Sequence, residues 1–484
     1  MTTKKRLLCI AAATVMAATA DARLVLAAQV GSHMVLQQQT DARLWGKATP
    51  GATVSVKGDW MATATTAKAA ADSTWLLTVR TPAASFAAHT LTISDSEGDV
   101  RRLDDVLIGE VWLASGQSNM EMPLNGFWNC PVNGSNEEIA TAGEWAPRIR
   151  MATIPKTGAT EPREWVEGQW QVPSPETAPW MSATAWFFAQ MMTRTLQVPV
   201  GIIACAWGGA SVEGWSPRQL LNTYGDVNLE EELKRGWNGQ WWEYYTPLIM
   251  YNGMLHPMRH YTVRGFLWYQ GEANVGKDKT YAERLNNMVR QWRSDFKGTS
   301  EQLPFYQVEI APWAGYGDGD SSGLLRESQH RAAQLIPNSG IVSTVDLVEP
   351  WERNQIHPAE KQKVGQRLAY LALNRTYGMK NICCDSPEYD HIEIHGNEVE
   401  VFFKHADDGL SPWQDIVGFE LCGSDGKYHE AQGRLNESHK SIVVTADGMA
   451  APVAVRYCFR AFQPGNLHNH RNLPVAPFRS DDSH

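Results

Sequence analysis

Five apolar runs constrain this chain more than any other feature of it. VLIGEVWLAS, VPVGIIACAW, RGFLWYQ, LPFYQVEIAP and GIVSTVDL are almost continuously hydrophobic, and polar or glycine-bearing loops follow them. A strand with one wet face alternates in polarity, whereas a strand buried on both faces does not. Helical patterns separate the runs. In YAERLNNMVRQWRSDF the residues Tyr281, Leu285, Met288, Val289, Trp292 and Phe296 share one face. PAEKQKVGQRLAYLALNRTYG places Pro358 at an expected first helical position and closes on Gly378. Buried strands alternating with amphipathic helices predict an α/β domain with a mostly parallel sheet over residues 107–380.

Both flanks read as β structure. Residues 23–106 carry short alternating runs such as ATVSVKG, STWLLTVRT and HTLTISDSEGD, broken at Pro50-Gly51 and Glu97-Gly98. They predict a small β-sandwich-like domain. Residues 381–484 return to strands in HIEIHGNEVEVFF, IVGFELCG, SIVVTAD and VAVRYCFRAF. His391 and His395 alternate along one such strand, which holds them roughly 13 Å apart, too far to share an ion.

Residues 1–22 have the pattern of a signal peptide. Lys4, Lys5 and Arg6 precede an apolar run from Leu7 to Ala18 and small residues at A-x-A spacing. The run is too short to span a bilayer, which predicts a periplasmic or secreted protein with no membrane span after cleavage. Six of the seven Cys then remain: Cys130, Cys205, Cys383, Cys384, Cys422 and Cys458. An exported setting permits disulfides, and a Cys422–Cys458 bridge is compatible with their shared β region. Neither Cys-x-x-Cys nor His-Glu-x-x-His occurs, so no metal or other cofactor is expected. A formal net charge of −10 argues against nucleic acid as a partner.

The loops after the apolar runs hold the chemistry. Trp112-Leu113-Ala114-Ser115-Gly116-Gln117-Ser118 runs a buried strand into a glycine, and Ser118 follows where the chain must turn. A hydroxyl there stands at the carboxyl end of the sheet, where open α/β folds bind ligands. Gly208-Gly209 follows the next run and allows close backbone approach. Gln270 ends the third run, with an amide able to donate to an oxyanion. His357 precedes the Pro358 helix, whose dipole would favour the neutral imidazole a general base needs. Twenty Trp residues add stacking faces for sugars; Trp237, Trp241 and Trp242 form the densest cluster, and Trp128 and Trp313 are further candidates.

GQSNM, WGGAS-x-E-x-W, WYQGEAN and IHP-x-x-K, with VLIGEVWLASGQSNMEMPL and NLHNHRNLPVAPFRSD, resemble the sialate O-acetylesterase family of SGNH-type serine esterases. The resemblance implies a doubly wound parallel sheet flanked by the two β regions. It implies an acetylated carbohydrate as substrate, Ser118 as nucleophile and His357 as base. It also implies an oxyanion hole of the Ser118 N–H, Gly209 in preference to Gly208, and Gln270. One departure stands out, because the Asp that such esterases place before this His is missing. Asn354 and Gln355 occupy those positions, and Glu352, Glu349 and Asp346 lie in the same loop. The third member of the triad stays open.

Two other readings compete. A glycoside hydrolase would use Glu272 and Glu309 as paired carboxylates. A non-catalytic glycan-binding protein would use the Trp residues and β regions alone. A carboxylate-bearing sugar would call for an arginine such as Arg259, Arg264 or Arg326. The loop Asp318-Gly319-Asp320 falls short of a cation site's ligand count.

Overall fold

The computed structural model describes residues 23–236, 243–297 and 303–481, so the expected signal peptide lies outside the described residues. The central sheet is built from β1 (Val100–Gly116), β2 (Ile149–Thr153), β3 (Trp170–Gln171), β4 (Val200–Ala206), β5 (Gly265–Tyr269), β6 (Phe305–Val308) and β7 (Ser339–Val342). Their order is β3-β2-β4-β1-β5-β6-β7. Only the edge strand β3 runs antiparallel to its neighbour.

All five apolar runs contribute a strand, and their side chains divide between two cores because successive residues of a strand point to opposite faces. Trp112 and Ala114 of β1 join one core, Val111 and Leu113 the other. The first core is covered by α2 (Ala183–Leu196) and α5 (Gln362–Leu371), the second by α3 (Asp278–Asp295) and α4 (Ser321–Leu335). Tyr281, Leu285, Met288, Val289 and Trp292 of α3, with Phe296 beyond it, are all buried as their spacing predicts.

β1 is a single strand that changes character midway. Residues 100–105 alternate in exposure, and the antiparallel pairing with Ser85–Asp95 reaches to Ile108, while Val106–Gly116 is buried throughout and from Glu110 onward pairs in parallel with β4 and then β5. The expected division between residues 106 and 107 therefore falls inside a strand that the N-terminal β region and the central sheet share. A separate three-stranded sheet of Val25–Leu26, Asp41–Lys47 and Thr74–Arg80 completes the N-terminal part.

Seven antiparallel strands between Glu388 and Arg479 form the C-terminal sheet. It docks through the wholly buried Arg326 of α4, whose Nη2 donates to Cys458 O at 3.1 Å and Arg460 O at 2.7 Å. Arg456 and Arg479 reach back to Asp320 and Glu327. The Cys422–Cys458 bridge is not present: all six described cysteines are free thiols. Cys422 lies opposite Tyr428 and Ala454 in its sheet, whereas Cys458 packs against Gly418 and Gly465.

One helix starts later than its sequence suggests. α5 begins at Gln362, not Pro358. Side chains hold residues 358–361 out of the helix: Glu352 Oε1 accepts the Ala359 N–H at 2.8 Å, and Lys361 Nζ donates to Pro358 O at 2.8 Å.

Candidate active site

β1 lies between β4 and β5, at the point where strand order reverses, so the loops leaving these three strands are neighbours. Gly116 makes the turn possible. Its φ is +134°, and a Cβ there would sit 2.2 Å from Tyr269 O. Gln117 then ties the loops together, with its N–H on Tyr269 O at 3.0 Å and its Oε1 accepting from the Gly271 and Ala273 N–H groups. Ser118 opens the four-residue helix α1 (Ser118–Glu121), and its N–H has no acceptor among the described residues.

The turn after β4 lies against that serine. A Cβ on Gly208 would approach Ser118 Cβ to 3.2 Å. The two glycines differ in one decisive respect. Gly208 donates its N–H to Glu121 Oε2 at 2.6 Å, while the Gly209 N–H has no acceptor among the described residues. Glu121 is held in turn by Lys156, 2.7 Å away. Gly209 has φ +79°, and Tyr244 covers it so closely that a Cβ would meet the ring at 2.4 Å.

Gln270 is engaged differently from expectation. Fully buried, its Nε2 donates to Ala210 O at 3.1 Å and Asn274 Oδ1 at 2.7 Å, while its Oε1 accepts from the Tyr281 hydroxyl. Both amide hydrogens are thus used, one holding the Gly208–Ala210 turn from below and the other engaging Asn274. Asn274 extends the network to Glu213, which pairs with Arg284.

His357 sits on the loop before α5. Its Nδ1 lies 3.7 Å from Cys130 Sγ, Phe127 packs edge-on at 5.1 Å, and its buried Nε2 has no partner among the described residues. Because α5 starts five residues later, no helix terminus governs the ring. Burial and the charge of Lys361 instead lower its pKa to about 4. The loop is joined to the serine by Asn119, whose Nδ2 donates to Ile356 O at 3.1 Å and to Glu272 Oε1, while its Oδ1 accepts from Lys361 Nζ at 2.8 Å.

The remaining candidates are placed elsewhere. None of the loop oxygens considered for the triad reaches the imidazole. Asp346 is held by Arg367, Glu352 accepts from the Glu349 and Ala359 N–H groups, Glu349 caps the Pro350–Glu352 turn, Gln355 bonds Asn129 O, and Asn354 is exposed. Glu309 is sealed by His330, Ser343 and Thr344, and so cannot serve as one of two facing carboxylates. Arg259, Arg264 and Arg326 are bound to Glu164, Glu110 and backbone carbonyls. Trp237, Trp241 and Trp242 lie outside the described residues; Tyr244, from the same aromatic stretch, does touch the site. Trp128 is 90 % exposed.

Residues 108–374, which contain all of these loops, match the family model described as "carbohydrate esterase, sialic acid-specific acetylesterase". This chain belongs to that family. It is 28% identical to the sialate O-acetylesterase of Homo sapiens, covering 93% of this chain and 91% of the relative. The Mus musculus enzyme is 26% identical, with 95% and 94% covered. A carbohydrate acetylesterase from Xanthomonas citri superposes with a TM-score of 0.82 at 30% identity, over 95% of this chain and all of that one. As a member of the family the protein is an esterase acting on carbohydrate, not a binding protein that has lost its chemistry.

Several residues of this esterase escaped the sequence. Asn119, Glu121 and Lys361 lie inside the recognised motifs, but nothing in their spacing shows that they contact other loops. Cys130 carries no local signal at all.

Proposed function

We propose that the protein is an exported serine esterase of the SGNH type that removes O-acetyl groups from carbohydrates through an acetyl-enzyme. The observation that carries this reading is the Asn119–Ile356 hydrogen bond, which fastens the neighbour of Ser118 to the neighbour of His357. Ser118 Oγ attacks the acetyl carbonyl while His357 Nε2 takes its proton. The free N–H groups of Ser118 and Gly209 receive the oxyanion, each donor contributing about 3 kcal/mol. Gln270 keeps the Gly209 turn in place. The sugar alcohol then leaves with the proton from His357, and the same imidazole activates the water that releases acetate. Glycoside cleavage finds less support, since Glu309 is fully engaged and Glu272 is held by Asn119.

The substrate class is tested by acetate release from 9-O-acetylated sialic acid and from acetylated xylan. Release by the wild type that disappears in Ser118→Ala and His357→Ala supports the reading, and the preferred glycan names the substrate. Release unaffected by Ser118→Ala overturns the nucleophile. Export is tested by cell fractionation together with N-terminal sequencing of the mature protein, for which a start after Ala20 or Ala22 is expected.

A further inference from the structure

Resting on the reading of His357 as the base, we propose that Cys130 is its positioning residue. The sulfur accepts the Nδ1–H, fixing the imidazole in the tautomer whose Nε2 lone pair is free to deprotonate Ser118. The thiol thereby stands where a triad aspartate would.

Three observations converge on this assignment. First, Cys130 Sγ is 3.7 Å from Nδ1, within the longer reach of a sulfur hydrogen bond, and the residue is buried at 6 % exposure. Second, the sulfur is held in place by a built turn. Phe127 and Cys130 exchange both backbone hydrogen bonds, at 3.0 and 2.9 Å, and the Phe127 ring packs on the imidazole. Gly126, with φ +74°, is required beneath it, because a Cβ there would meet Cys130 O at 2.4 Å. The turn is fastened to the histidine loop on both sides, by Gln355 on Asn129 O and by the Asn133 N–H on Ala359 O at 3.0 Å. Third, every carboxylate and amide of the loop considered for the role is either bonded elsewhere or exposed.

A neutral thiol orients the ring differently from a carboxylate. It selects the tautomer without a negative charge, so it does not raise the basicity of the imidazole. The charges that act on the ring are Lys361, which opposes its protonation, with Glu352 and Glu272 set around that ammonium. Burial keeps the Cys130 thiol protonated, its pKa raised above the ordinary value. When His357 takes the Ser118 proton, its Nδ1–H becomes a stronger, charge-assisted donor to the same sulfur.

The test uses full-length protein labelled with 15N at histidine, with the His357 signals assigned by their loss in His357→Gln. In the wild type, shifts of a Nδ1–H tautomer are expected; in Cys130→Ala they move toward a tautomer mixture. Alongside, kcat falls roughly 10- to 100-fold with KM unchanged, less than the loss of a charged orienter costs. Cys130→Ser falls between. Cys130→Asp supplies the missing charge and moves the acid limb of kcat/KM upward by about one pH unit or more. This variant and the serine variant decide the matter if Cys130→Ala does not fold. An inactive His357→Ala beside a Cys130→Ala with unchanged rate, pH profile and 15N shifts would overturn the proposal and leave the base assignment standing. An active His357→Ala would overturn the base assignment itself.

Discussion

Asn119 Oδ1 accepts a hydrogen bond from Lys361 Nζ at 2.8 Å, although 242 residues separate them in sequence. Both side chains are almost wholly buried, and Glu272 lies on the other side of the same amide. The three form a polar strut between the serine loop, the loop after β5 and the histidine loop. An ammonium in such surroundings is tolerated only while its partners stay in place. Asn119→Ala removes the centre of the strut and leaves Lys361 and Glu272 without their shared neighbour. We expect it to cost about 2–4 kcal/mol in urea unfolding and to lower kcat at least tenfold. Asn119→Asp keeps an acceptor for Lys361 but turns a carboxylate oxygen toward Glu272 Oε1 and Ile356 O, so it should lose stability and activity together.

With His357 as the proposed base, its depressed pKa sets the pH dependence of the reaction. A base titrating at about 4 is neutral throughout the neutral range, so kcat/KM should stay flat from pH 7 down to about 5 and fall only below that. Lys361 supports the depression, and Lys361→Met should therefore move the acid limb upward. The sign for stability follows from the same shift. The folded pKa lies below the unfolded value near 6.5, so the neutral ring's contribution is complete above pH 6.5 and is lost as pH falls through that value toward 4. Acid titration of the unfolding free energy in wild type and His357→Gln checks it, with the variant showing the shallower slope.

The two glycines after β4 should separate cleanly. Gly209→Ala forces an alanine to φ +79° and places its Cβ against Tyr244, disturbing the backbone N–H proposed to receive the oxyanion. A loss of about 10²–10³ in kcat is expected, with 1–3 kcal/mol of stability. Gly208→Ala meets only Ser118 Cβ and Glu121 Oε2, at 3.2 and 3.3 Å, and keeps an ordinary backbone angle. Its effect on kcat should be at least tenfold smaller. In the double variant Gly209→Ala/Tyr244→Ala, stability should partly return while the rate does not.

What the sequence discloses is what local patterning controls. The five apolar runs and the α3 face are legible because burial on a strand or helix repeats with fixed period. The turns that carry Ser118 and Gly209 are legible because a sharp turn at a strand end demands a particular residue type. The start of α5 is misread because Pro358 suits a first helical position, while the Glu352 and Lys361 side chains that hold residues 358–361 out of the helix come from tertiary packing. The hydrogen bonding of Gln270 is not legible for a related reason. An amide at a strand end can face substrate or brace the neighbouring loop, and only the positions of Ala210 and Asn274 decide between them. Cys130 and the Asn119–Lys361 contact depend wholly on how distant loops meet, which no spacing records.

Arg326 ties the C-terminal sheet to the esterase domain in a way that can be measured. Its guanidinium is fully buried, two of its nitrogens have no partner among the described residues, and its firm bonds are to the carbonyls of Cys458 and Arg460. Removing it leaves the carbonyls of Cys458 and Arg460 without that donor at a largely buried interface, where each unsatisfied group costs about 1–3 kcal/mol. Arg326→Ala should therefore lower stability by about 3–5 kcal/mol. It should also open the segment after residue 380 to limited proteolysis before the central domain is cut. Arg479→Ala, which removes a partly buried two-bond ion pair with Glu327 and the guanidinium's contact with Phe459, should cost about 1–2 kcal/mol, less than Arg326→Ala. Equal effects from the two substitutions would mean that the C-terminal sheet is held by its apolar packing, with Arg326 merely enclosed by it.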